Sequence, residues 1–100
     1  MPKLNKNFEI IIPNNLRYKL DIYKNGEVFL IFNNPDVVLD TTKKWHKCLG
    51  KAKIKNGKIL LNDLQCKILN LSPGTNYTVF LDTSSQKLAF RKIVFIPENR

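Results

Sequence analysis

Lys51-Ala52-Lys53-Ile54-Lys55-Asn56-Gly57-Lys58-Ile59-Leu60-Leu61 is the stretch that decides the fold class of this chain. Lysines alternate with Ala52 and Ile54 at a period of two, the period of a strand with one wet and one dry face. Asn56-Gly57 then supplies two residues that tolerate positive φ, as a tight hairpin turn requires. Lys58 to Leu61 resumes the apolar pattern, so the stretch predicts an antiparallel hairpin with Lys51, Lys53 and Lys55 facing water.

The same signals extend in both directions. Positions 8–12 read as a strand closed by Pro13-Asn14-Asn15, because proline lacks the donor that a central ladder needs. Leu16, Tyr18, Leu20 and Ile22 alternate with Arg17, Lys19 and Asp21, Asn25-Gly26 follows, and positions 28–32 resume an apolar run. That pattern predicts a second hairpin pairing 16–23 with 27–33 and ended by Asn33-Asn34-Pro35-Asp36. Positions 37–50 read as a loop with a short strand, and further strands are expected at 64–69, 77–81 and 92–96. About seven or eight short strands separated by turn signals predict an all-β chain, either an antiparallel sandwich or a small Greek-key barrel.

Composition narrows the classes. One hundred residues with 43% hydrophobic content imply a single domain over 1–100, with room for one core and not for a deep substrate cleft as well. No apolar run of signal-peptide length occurs before Pro13, so export by a signal peptide is not expected. The longest apolar run, 28–32, is far below the ~20 residues of a spanning helix, so no membrane partner is expected. Cys48 and Cys66 are too few for a disulfide framework and are read as reduced thiols.

Leu71-Ser72-Pro73-Gly74-Thr75-Asn76-Tyr77-Thr78-Val79 resembles the junction between strands E and F of fibronectin type III domains, where a Leu-x-Pro-Gly-Thr-x-Tyr run closes one sheet and opens the next. The resemblance implies an immunoglobulin-like sandwich of seven to eight strands with a tyrosine corner. In it, the Tyr77 ring packs inside and its hydroxyl returns to a nearby backbone group. It also implies that Tyr77, Val79 and Leu81 face the core, that Thr78 and Phe80 face outward, and that Leu64, Cys66 and Ile68 line the core from the preceding strand. Phe32 stands where that family usually carries tryptophan.

Catalytic constellations are weak. His46 is the only histidine; Cys48, two residues on, shares its strand face, and no third residue orients the pair. His46, Cys48 and Cys66 lack a fourth ligand and the Cys-x-x-Cys spacing of a structural zinc site. Asp36 and Asp40 read as turn and capping residues, and Gly50, Gly57 and Gly74 are isolated, so no phosphate loop exists. The expectation is a protein without catalysis, cofactor or metal.

Charge is the signal above background. The formal net charge is +9, and Lys43, Lys44, Lys47, Lys51, Lys53, Lys55 and Lys58 follow one another without an intervening acid, with Trp45 and His46 inside the run. Such a run reads either as a solvated strand face or as a surface for an anionic partner, with Trp45 as anchor. Lysine far outnumbers arginine, which argues against base-specific readout by the guanidinium fork. The chain resembles the small accessory proteins of virus particles, which implies a non-enzymatic structural module docking on a capsid or tail lattice and located in the virion or the cytoplasm of the host cell. Lys43, Lys44, Trp45, Lys47, Lys51, Lys53 and Lys55 are the expected contacts, with the arm before Phe8 as a second one. The alternatives are a nucleic-acid-binding β domain using the same basic run against phosphates, and an intracellular adaptor or inhibitor that acts by protein binding.

Overall fold

A computed structural model describes residues 2–23 and 25–94. Chain order runs β1 (Glu9–Ile11), a 3-10 helix (Asn14–Ile22), β2 (Glu27–Asn33), β3 (Asp36–Asp40), β4 (Cys48–Lys55), β5 (Lys58–Leu60), α1 (Asp63–Leu69), β6 (Tyr77–Asp82) and β7 (Lys87–Lys92). The fold is all-β: seven strands pair antiparallel in the order β1-β5-β4-β2-β3-β7-β6. Hydrogen bonding therefore runs through all seven in one barrel-like sheet; of the two expected architectures, the sandwich of two facing sheets and the small barrel, the sheet has the barrel's connectivity. The β4–β5 hairpin extends the central β2–β3 pair on one side and the β6–β7 hairpin extends it on the other. No helix among the described residues is long and apolar enough to cross a membrane.

The seam of the barrel lies between β1 and β6. Lys3 bridges Asn76, Leu4 N–H donates to the Thr75 carbonyl at 2.8 Å, and Tyr77 N–H donates to the Pro2 carbonyl at 3.1 Å. Tyr77 is fully buried and its hydroxyl accepts the Ile11 N–H at 2.9 Å. Burial pushes its phenol above the ordinary value, with the Ile11 bond pulling the other way. The ring is inside, as the corner reading expects, but its backbone partner belongs to β1 and not to a neighbour in sequence.

Inside the curved sheet, Ile10, Val28, Leu30, Val37, Leu39, Ile59, Leu88 and Phe90 form the main core. Opposite, Ile31, Val38 and Ala89 are buried in a second cluster with Phe29, Cys48 and Phe80 against it. Val79 packs on the first cluster and Phe80 on the second, in keeping with the expected alternation, while Leu81 is only half-buried.

Several elements differ from expectation. Residues 16–22 lie in the 3-10 helix and not in a strand: Leu16, Leu20 and the C-cap Tyr23, spaced i, i+4 and i+7, pack against the core, leaving Tyr18 and Ile22 exposed. The hairpin partner of β2 is instead β3, through Asn33 opposite Asp36. Residues 64–69 are α1. Its start is a capping box in which Asn62 accepts the Gln65 N–H and Gln65 accepts the Asn62 N–H, and Asn70 ends it in the left-handed region. Cys66 does reach the core, but Leu64 and Ile68 are exposed because a helix turns them away. The last strand is β7, so the expected 92–96 strand begins where it ends; positions 95 and 96 lie outside the described residues. Within 37–50, β3 and the start of β4 are strand, and 41–47 is loop.

The Asn56-Gly57 hairpin forms as read, with Lys55 opposite Lys58 and both turn residues at positive φ. Ala52 is buried while Lys51, Lys53 and Lys55 are exposed.

Candidate docking face

Two pieces of chain place the basic run. β3 and β4 both pair antiparallel with β2, from opposite sides, so they run parallel to each other and the loop 41–47 must cross over β2. It crosses on the outer face: Lys44 and Lys47 line a cavity of about 200 Å3 with Ile31, Val38 and Asp40, and Phe32 N–H donates to the Lys47 carbonyl at 2.7 Å. Lys43, Lys44, Trp45, His46 and Lys47 are all exposed on this crossover, and Trp45 retains 83% of its surface. The Lys43 ammonium sits 4.8 Å from the Trp45 ring centroid, a cation–π distance.

Beside the loop, Lys51, Lys53 and Lys55 stand on the outer face of β4. The Lys51 ammonium lies 5.6 Å from the Phe29 ring centroid. Ile22, Phe29, Thr41 and Lys51 border a groove of about 240 Å3 between β2, the loop and the end of the 3-10 helix. Acidic groups dilute the run: Glu27 is in register with Lys53, Lys58 Nζ is 3.7 Å from Glu9, and Lys44 Nζ is 3.7 Å from Asp40. Among the described residues, Lys43, Lys47, Lys51, Lys53 and Lys55 have no carboxylate within ion-pair distance.

The pairing of Asp40 with Lys87, 47 positions on, has no signal in the sequence. At 1% exposure Asp40 is a buried carboxylate, and its Oδ1 accepts Lys87 Nζ at 2.7 Å, Thr42 N–H at 3.1 Å and the Thr42 hydroxyl at 3.2 Å. Burial alone would raise its pKa; the Lys87 and Thr42 hydrogen bonds and the Lys87 charge outweigh burial and hold it below the ordinary carboxylate value. The Asp40-Thr41-Thr42 order is a local sign of such a turn. Asp40 therefore ties the first residues of the crossover to β7. The expectation of turn and capping residues fits Asp40, which ends β3 and caps the turn at Thr42; Asp36 begins β3 directly after the Asn34-Pro35 turn and pairs with Arg91 Nε at 2.6 Å.

The thiols do not converge with His46. Cys48 is half-buried and accepts the Gly50 N–H at 3.4 Å, and Cys66 is buried in α1, where burial and the Asp63 charge raise its pKa. Both are free thiols.

No protein-family model, no curated protein and no solved structure matches this chain.

Proposed function

We propose that this protein is a non-enzymatic attachment module that docks on an acidic protein surface, a capsid or tail lattice of a virus particle being the partner class intended. The observation that carries the reading is Trp45: a presented indole, 83% exposed, on a crossover braced by Asp40, with Lys43 on its ring, Lys47 on the same crossover and Lys51, Lys53 and Lys55 exposed along β4. An exposed tryptophan gains little for the isolated chain and much for an interface that buries it. The Leu71 to Val79 likeness to fibronectin type III domains belongs to the same proposal, as a family of binding modules; a buried Tyr77 whose hydroxyl serves a backbone amide supports it.

The test is capture of partners from the native source by the purified protein, with and without nuclease, read by mass spectrometry. A capsid or tail protein recovered in both arms supports the proposal; a partner set that vanishes with nuclease transfers the lysines to nucleic acid. Trp45→Ala is expected to weaken capture by roughly 2 kcal/mol or more. Lys51→Glu/Lys53→Glu/Lys55→Glu is expected to abolish capture while leaving the melting temperature nearly unchanged, because all three side chains face water. Capture that survives both changes would overturn the docking face.

A further inference from the structure

The chain treats the two edges of its sheet differently. On β1 both outward amides are taken: Glu9 N–H donates to Asn5 Oδ1 at 3.0 Å, and Ile11 N–H donates to the Tyr77 hydroxyl. On β6, Tyr77 N–H points away from β7 to Pro2, whereas the Asn76 carbonyl accepts the Ile93 N–H on the β7 side. Antiparallel alternation then directs the backbone groups of Thr78, Phe80 and Asp82 to β7 and those of Val79 and Leu81 outward. Among the described residues, the outward N–H and C=O of Val79 and Leu81 have no partner.

Edge strands are ordinarily blunted by lysine, proline, a bulge or brevity. β6 has none of these: Tyr-Thr-Val-Phe-Leu-Asp runs six residues in unbroken register with β7. Its composition is that of a good β-former, and its neighbour on the same edge, Pro2 to Leu4, already pairs there with residues 75–77. Charge decides what such an edge accepts. A second copy would bring +9 against +9, whereas Lys3 beside Asn76 and Lys19 at the Gln86 carbonyl place cations near the two ends of the edge.

We propose that β6 is a strand-addition site for an extended, acidic segment of a partner protein, held by the backbone groups of Val79 and Leu81. The proposal rests on the acidic partner argued above only for the charge of that segment; the edge itself involves none of the docking lysines. The experiment is residue-resolved amide exchange by NMR on the whole chain, with and without a capped peptide of alternating glutamate and valine. In the free protein the Val79 and Leu81 amides are expected to exchange fast and those of Thr78 and Phe80 slowly. The peptide is expected to slow Val79 and Leu81 at least about tenfold.

Val79→Pro, which removes a donor that bonds nothing in the free chain, is expected to abolish that protection. Thr78→Glu, half-buried on β6 beside the outward groups of Val79, is expected to do so by repelling the acidic peptide. Lys51→Glu/Lys53→Glu/Lys55→Glu is expected to retain the protection. Slow Val79 and Leu81 amides without peptide, protection that rises with protein concentration alone, or protection lost only in the lysine variant would each overturn the proposal. So would a peptide that leaves both amides unprotected.

Discussion

Asp40 shows how one side chain decides what a loop presents. It is buried, yet ionised, because Lys87 and Thr42 supply the hydrogen bonds that water would. Asp40→Asn keeps the shape but replaces the ionised acceptor facing the Lys87 ammonium, so a loss of roughly 1–3 kcal/mol is expected at neutral pH. The pH dependence has a definite sign. With its folded pKa held below the unfolded value, Asp40 contributes stability that is fully present above about pH 4 and is lost as pH falls through the folded pKa. Thermal melts of the two proteins across acid pH are therefore expected to converge as pH falls, and a gap that stays constant would count against the ion pair as its source. Tyr23, whose hydroxyl donates to the Leu39 carbonyl, is held protonated by burial and by the Asp40 charge, so Asp40→Asn also relaxes that phenol.

At the scale of elements, α1 is short and held by contacts beyond its own turns. Gln65 is buried, its Nε2 donates to the Leu49 and Lys51 carbonyls at 3.2 and 3.0 Å, and its Oε1 accepts the Asn62 N–H at 3.0 Å. Gln65→Glu places a carboxylate against two carbonyl oxygens, with an expected cost of about 2–4 kcal/mol read from the urea midpoint at constant m. The strands of the Asn56-Gly57 hairpin were legible because alternation, turn chemistry and burial agree there. Residues 64–69 were misread because Leu64, Cys66 and Ile68 also fit a period of two, and the signal that wins is the polar Asn62 to Gln65 cap. The 3-10 helix was misread for a similar reason: Leu16 and Leu20 satisfy both an alternating and a helical spacing, and only tertiary packing selects between them. Lys43 to Lys58 could be read as a charge run, but its dilution by Glu9, Glu27 and Asp40 could not, because those carboxylates arrive from three other strands.

For the whole molecule, the sequence speaks to strands and turns and is silent on which edges meet. Strand order depends on pairings remote in sequence, which is why an all-β class is legible while sandwich and small barrel both stay open and the order of the strands does not show. The seam contact between Ile11 and Tyr77 spans 66 positions and has no local signature beyond the turn that precedes Tyr77. Tyr77→Phe keeps the ring and leaves the Ile11 N–H without an acceptor, so a loss of roughly 1–3 kcal/mol is expected, with a melting temperature lower by about 4–8 °C per kcal/mol. Faster exchange confined to the Ile11 amide would locate that loss at the seam. The seam also has a consequence in time. β2–β3, β4–β5 and β6–β7 join residues close along the chain and can zip locally, whereas β1 waits for β5 and for the Tyr77 hydroxyl, and Pro2 to Leu4 wait for residues 75–77. During synthesis β1 therefore leaves the ribosome well before its partners, and until Tyr77 emerges the Ile11 amide on its outer edge has no acceptor, while Glu9 is already served by nearby Asn5.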